Sequence, residues 1–160
     1  MKFKFHDLFL FKKNRGLLNG EDLEFFYYCV ANQSDNALIG CINWDELVLP
    51  IVDALGVRIE FISKDNSNAK SMLLCNDDVF CHQNTLFLSV SDNNEPKTVT
   101  LFRHLRNAFS HYRITHFGDL YILSDINRNE ELSMKGSIEI NKLREIICEI
   151  ILKTENLENS

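Results

Sequence analysis

The segment between Leu101 and Arg113 limits the possible folds of this chain more than any other part of it. Six of its apolar residues fall within an arc of roughly 120° when successive residues are set about 100° apart on a helical wheel. They are Leu101, Phe102, Leu105, Ala108, Phe109 and Tyr112. Because an apolar stripe of this width must be buried against another element, the pattern predicts an amphipathic helix over about residues 98–113.

The rest of that helical circumference lacks acidic residues. It carries Arg103, His104, Arg106, Asn107, Ser110, His111 and Arg113. A solvated helix face usually mixes both signs of charge, which favours solubility and pairing between turns. Arginine suits a phosphate, asparagine and serine suit orienting hydrogen bonds, and histidine suits proton transfer. The composition of this face therefore indicates phosphodiester chemistry.

The net charge is unevenly distributed along the chain. The 160 residues include 17 Lys and Arg against 23 Asp and Glu, for a formal charge of −6. Residues 97–118 hold one Lys, three Arg and no acid, so they contribute +4 and leave −10 for the remainder. These numbers argue against a protein that coats nucleic acid by bulk positive charge. A polyanion should instead bind at a local basic patch.

The length favours a single domain over residues 1–160, and 45% apolar residues suffice for a core. No run approaches the roughly 20 apolar residues of a membrane span. Five cysteines at irregular spacing favour reduced thiols in the cytoplasm over a disulfide framework. Cys75, Cys81 and His82 come nearest to a metal-ligand pattern, but their spacing is weak. We therefore expect no metal and no cofactor.

Two further helices are predicted in the first half of the chain. Residues 20–33 have apolar side chains at helical spacing, namely Leu23, Phe26, Tyr27 and Val30. Asn43 precedes a glutamate by three residues, as an N-cap precedes its capping-box partner, and Pro50 should kink that helix or shift its start. Residues 57–63 fit a strand or a continued helix, and residues 71–91 are ambiguous.

The second half is predicted to contain a small amount of β structure before a last helix. Residues 113–126 should form a hairpin that turns at Gly118 and Asp119, and residues 134–140 fit one more strand. Asn141 should cap the last helix, whose tail over residues 154–160 should fray.

The hexapeptide at residues 106–111, Arg-Asn-Ala-Phe-Ser-His, resembles the R-[polar]-x-x-x-H motif of the HEPN superfamily. The longer string LRNAFSHYRI, with an apolar hairpin and a Leu/Ile-rich helix after it, resembles plasmid- and defence-associated HEPN nucleases. The resemblance covers about residues 98–152. It implies a mainly α fold, a HEPN-like helical bundle with a small β-hairpin between the motif helix and the C-terminal helix.

The resemblance also implies a metal-independent endoribonuclease that cleaves RNA by 2′-hydroxyl attack at a composite site in a homodimer. By position, Arg106 would bind the scissile phosphate, Asn107 would hold the geometry of the motif, and His111 would perform acid–base catalysis. One such histidine per chain gives two in the dimer. The implied role is a toxin or anti-phage defence effector, with an antitoxin or other regulator protein as a candidate partner.

Four neighbours of these residues are candidate RNA contacts: Arg103, His104, Ser110 and Arg113. Arg103 and Arg113 suit phosphates, although charges near helix ends are common. His104 and His116 are expected to be accessory groups or simply exposed.

Three other interpretations stay open at this point. A degenerate HEPN module could bind RNA or a nucleotide without cutting it. The motif could be accidental, on an ordinary solvated helix face. The whole chain could be a structural interaction domain, in which the aromatic run at residues 25–28 fits a core or a dimer interface better than a base-stacking platform.

Overall fold

The computed structural model describes residues 18–63 and 83–160. Its helical elements are α1 (Gly20–Glu24), a π-helical segment (Phe25–Ala31), a 3₁₀ helix (Ala37–Cys41), a second π-helical segment (Trp44–Val48), α2 (Leu49–Ala54), α3 (Lys97–Ser110) and α4 (Ile140–Glu158). Its strands are β1 (Arg58–Ile62), β2 (Thr85–Ser89), β3 (Ile114–Phe117), β4 (Leu120–Ile126) and β5 (Leu132–Glu139). The weak metal-ligand pattern of Cys75, Cys81 and His82 lies outside the described residues.

The strands form one five-stranded mixed sheet in the order β1-β2-β5-β4-β3. The β1–β2 pair is parallel and the other three pairs are antiparallel. The expectation of a mainly α helical bundle is therefore wrong, and the chain has an α/β fold. The predicted hairpin exists as β3 and β4, but it is the edge of a larger sheet. Strands β1 and β2 have only five residues each, too few for their alternation to exclude a helix.

Helix α3 confirms the amphipathic pattern that was predicted around the motif. Its inward stripe, including Leu101, Leu105 and Phe109, is completely buried. The helix ends earlier than expected, because His111 is its C-cap and Tyr112 adopts a left-handed φ of +58°. The Arg113 amide then donates to the Ala108 carbonyl over 2.8 Å, which closes the last turn.

Strand β4 brings a carboxylate to the same core. Successive side chains of a strand point to opposite faces, and in β4 Tyr121, Leu123 and Asp125 are the buried set toward its end. Helix α3 packs against β4 and β2. Asp125 therefore continues an apolar face of the sheet and lies against the motif helix.

The first helical region packs as its periodicity predicts, since Leu23, Phe26, Tyr27 and Val30 are all buried. The Asn43 side chain accepts a hydrogen bond from the Glu46 amide over 3.1 Å, which confirms it as an N-cap. Pro50 lies in the first turn of α2, where its missing N–H costs no helical hydrogen bond.

Helix α4 differs from its prediction at both ends. It follows β5 directly, so Glu139 occupies the N-cap position without a side-chain hydrogen bond and Asn141 is already inside the helix. The helix continues to Glu158 instead of fraying from Thr154, whose hydroxyl is buried and donates to the Ile150 carbonyl over 2.8 Å. Within residues 18–63 and 83–160, no helix combines the length and the apolar character needed to cross a membrane.

Candidate functional site

A cleft of about 860 Å³ opens beside α3 and is lined mostly by polar residues. We call it the α3 cleft. Its walls come from α3, the ends of β1, β2 and β4, the loop between β4 and β5, and the start of β5. Its ionisable lining residues are Arg103, His104, His111, Asp125, Arg128 and Glu131. The volume is ample for part of a nucleic-acid strand.

His104 lies at the buried side of this cleft and is fully shielded from solvent. Its Nδ1 is 2.8 Å from Asp125 Oδ2, and its Nε2 is 2.6 Å from the Ser89 carbonyl oxygen. Of the two alternatives expected for His104, an accessory group or a simply exposed one, the exposed one is therefore wrong. The ring lies on the polar side of the helical wheel, but β4 supplies a buried acceptor and β2 a half-buried one for its two nitrogens.

Arg103 is fixed by the loop that precedes α3. Its Nε and Nη2 each donate to Glu95 over 3.0 Å, and Nη2 also donates to the Ser89 carbonyl over 3.1 Å. Burial alone would raise the pKa of Glu95, but hydrogen bonds from Arg103, Thr100 and Ser91 outweigh it and lower the pKa to about 2. Arg103 thus lines the α3 cleft as a cation whose charge is already paired.

Asn107 and His111, the second and last residues of the motif, both line the α3 cleft. They are four residues apart on α3 and so share one side of the helix. Asn107 Nδ2 donates to Asp125 Oδ2 over 3.3 Å. His111 is exposed at the C-cap of the helix. Of the imidazoles lining the cleft, His111 is thus accessible while His104 is not.

The remaining candidate residues lie elsewhere on the surface. Arg106 Nη1 donates to Asp35 Oδ1 over 3.2 Å in an exposed ion pair, and Arg106 is outside the cleft lining. Ser110 and Arg113 are outside the lining as well, with Ser110 half-buried and Arg113 exposed. In one chain, therefore, the structure brings together Arg103, His104, Asn107 and His111 but not the other three residues.

Sequence reasoning missed four charged residues of this region: Glu95, Asp125, Arg128 and Glu131. Arg128 lines the cleft from the β4–β5 loop, and no motif marks it. Asp125 could have been noticed, because it follows Tyr121 and Leu123 at alternating positions and so places a carboxylate on an apolar strand face. A buried carboxylate needs hydrogen-bond donors, and the acid-free helix α3, which precedes it in sequence, carries such donors.

The fold and the cleft define an α/β protein with a polar, imidazole-containing cleft on its motif helix. A family model described as HEPN pEK499 p136 matches residues 44–159, and the chain belongs to this HEPN family. The membership that the motif indicated is thereby confirmed. Neither a curated protein nor a solved structure matches the chain. HEPN proteins are generally associated with RNase activity, RNA interaction and dimerisation, which indicates a HEPN-type nuclease or RNA-binding module.

Proposed function

We propose that the protein is a metal-independent endoribonuclease that acts as a homodimer. The observation that carries this proposal is the meeting of Asn107 and His111 in one cleft large enough for an RNA strand. The proposed biological role, a toxin or anti-phage defence effector in the cytoplasm, rests on the resemblance of the motif region to defence-associated HEPN nucleases.

The proposed reaction uses the RNA itself as nucleophile. The 2′-hydroxyl loses its proton to a base and attacks the adjacent phosphorus, and the 5′-oxygen leaves with a proton from an acid. The products carry a 2′,3′-cyclic phosphate and a 5′-hydroxyl. A cation stabilises the charge that develops on the phosphoryl oxygens. Both proton transfers suit imidazoles, so the accessible His111 side chain is the group we assign to them.

The need for two proton-transfer groups supports a dimeric site. His104 is itself buried and both of its ring nitrogens face acceptors of the protein. This leaves His111 as the one accessible imidazole among the described residues that line the cleft. A second copy of the chain related by a two-fold axis would supply the second histidine. Neither chain alone would then hold a complete acid–base pair.

Arg106 is assigned to the scissile phosphate in that assembled site. Within the described part of the chain, it is held only by an exposed pair with Asp35, whose side chain is 68% exposed. Such surface pairs contribute about 0–1 kcal/mol to stability, so a phosphate can replace Asp35 at little cost. Arg103 is less available, because Glu95 already binds its guanidinium at two atoms.

Cleavage of a labelled RNA by the full chain and by the Arg106→Ala and His111→Ala variants tests the proposal. We expect the wild-type chain to cut RNA but not DNA of the same sequence. Each variant should lose roughly 10²-fold or more of the activity while eluting as the same dimer on a sizing column with light scattering. A wild-type chain that elutes as a monomer and cuts RNA would contradict the composite site.

A non-catalytic RNA-binding module is the second candidate, and the position of Arg106 favours it. Arg106 lies outside the cleft that Asn107 and His111 line, so the motif is not assembled within one chain. A binding module would retain RNA without cleaving it, and His111→Ala would leave the binding affinity nearly unchanged.

A further inference from the structure

Asp125 is a buried carboxylate that lies outside the motif and binds to it. The residue is 2% exposed and continues the buried face formed by Tyr121 and Leu123 on β4. Its Oδ2 accepts hydrogen bonds from His104 Nδ1 at 2.8 Å and from Asn107 Nδ2 at 3.3 Å. A carboxylate buried without such partners would be strongly destabilising.

His104 is the hydrogen-bond partner that allows this carboxylate to be buried. A neutral imidazole has one N–H, yet both ring nitrogens of His104 face acceptors, Asp125 Oδ2 and the Ser89 carbonyl. Both hydrogen bonds form at once only when a proton lies on Nε2 and another lies between Nδ1 and Oδ2. The buried pair then carries no net charge, with the Glu95-bound Arg103 guanidinium 3.4 Å from Nε2.

The Asp125 carboxylate also decides which way the Asn107 amide faces. An ionised carboxylate only accepts hydrogen bonds, so the Asn107 nitrogen must face it and the amide oxygen must point away. Asn107 lines the α3 cleft, as does His111 one helical turn later. The arrangement therefore makes the Asn107 amide oxygen available as a hydrogen-bond acceptor to a molecule in the cleft.

We propose that Asp125, held by His104, is a positioning residue that orients Asn107. The Asn107 amide oxygen then accepts a hydrogen bond from the ribose 2′-hydroxyl of the bound RNA, before the base takes that proton. This assignment rests on the proposed ribonuclease function. It deepens that function, because it gives Asn107 a defined contact with the nucleophile of the reaction. Because Asp125 is only 2% exposed, it acts through Asn107 and not by contact with the reacting atoms.

The first measurement needs no substrate. In the wild-type full chain, nitrogen-15 NMR should find protons on both ring nitrogens of His104 and one slowly exchanging side-chain amide proton on Asn107. In Asp125→Asn the Asn107 amide proton should exchange faster and shift. Because the wild-type spectrum alone can refute the arrangement, the test holds even if the variant fails to fold. A His104 ring with one proton and a freely exchanging Asn107 amide would overturn the inference.

The second measurement is kinetic and uses Asp125→Asn with Asp119→Asn as its matched control. Asp119 is an exposed carboxylate in the β3–β4 turn, away from the cleft lining. We expect Asp125→Asn to lower kcat by roughly 10²-fold through misplacement of Asn107, with KM changed less than about threefold. Asp119→Asn should cleave like the wild type.

A double-variant comparison separates positioning from a general structural role. If Asp125 acts through Asn107, then Asn107→Ala and Asn107→Ala/Asp125→Asn should have the same kcat. If the losses of kcat from the two single changes multiply in the double variant, the inference is overturned. It is also overturned if Asp125→Asn keeps the wild-type kcat. A wild-type chain that never cleaves RNA refutes the proposed function instead, and the NMR result then decides whether Asp125 orients Asn107.

Discussion

His104 Nδ1 lies 2.8 Å from Asp125 Oδ2, and the two side chains are 0% and 2% exposed. The pair joins the middle of α3 to the end of β4, which are 21 residues apart in sequence. It forms one wall of the α3 cleft and fixes the face of α3 that carries Asn107 and His111. The stability of the motif helix against the sheet should therefore depend on this pair.

Replacing His104 by alanine should destabilise the fold. The change leaves the buried Asp125 carboxylate without its hydrogen bond from His104, and breaking a buried pair from one side costs about 3–5 kcal/mol. His116→Ala is the matched control, because His116 is exposed on β3. Urea unfolding measures both free energies. A loss below about 1 kcal/mol for His104→Ala would contradict the buried pair.

The hydrogen-bonded Glu95 should make stability depend on acid pH. Because its pKa is lowered from 4.5 to about 2 in the folded chain, ionised Glu95 stabilises the fold above the unfolded pKa. That contribution is lost as the pH falls from about 4.5 to about 2. The difference in unfolding free energy between wild type and Glu95→Gln should be constant above about pH 5 and narrow below it. A difference that stays constant down to pH 2.5 would contradict the lowered pKa.

Long elements with a strong local period were the predictable part of the fold. Helices α3 and α4 bury apolar stripes that their own sequences display. Strands β1 and β2 are different, because each has five residues and gains its structure from the partner strand. Parallel pairing depends on contacts between residues far apart in sequence, which local alternation does not encode. The number of strands in the sheet was therefore underestimated, although the β3–β4 turn at Gly118 was predicted.

Gly136→Ala should disrupt the centre of the sheet. Gly136 pairs with Leu86 between β5 and β2 at a φ of +153°, and an added Cβ would lie 2.1 Å from the Thr85 carbonyl oxygen. We expect a loss of about 3 kcal/mol or more in unfolding free energy. Gly118→Ala is the control, since its φ of +58° is strained but its Cβ would meet nothing within 4 Å. Its cost should be about 1 kcal/mol, and equal costs would show that close contact at Gly136 is unimportant.

The composite site predicts how mixed dimers behave. Wild-type and His111→Ala chains that are co-refolded in varied ratios should pair at random, because His111 is exposed and does not support the fold. If each active site needs His111 from both chains, activity should fall with the square of the wild-type fraction, to about a quarter at equal amounts. A linear fall in RNA cleavage would instead indicate that each chain works alone.

Only part of the candidate site could be predicted from the sequence. Arg103, Asn107 and His111 lie on one side of a predicted helix, so their proximity followed from helical spacing. Asp125 and Glu95 join them because β4 and the loop before α3 pack there, which is a tertiary effect. These carboxylates neutralise part of a face that looked wholly basic in the sequence.

The most direct test of the central claim is the chemistry of the RNA ends. The full wild-type chain is incubated in excess EDTA with an oligonucleotide that contains one ribonucleotide in a DNA strand, and the products are analysed by mass spectrometry. We predict a single cut after the ribonucleotide, giving a 2′,3′-cyclic phosphate and a 5′-hydroxyl, and no cut in the all-DNA strand. Cleavage that requires a divalent metal, or products with a 5′-phosphate, would contradict the proposed function.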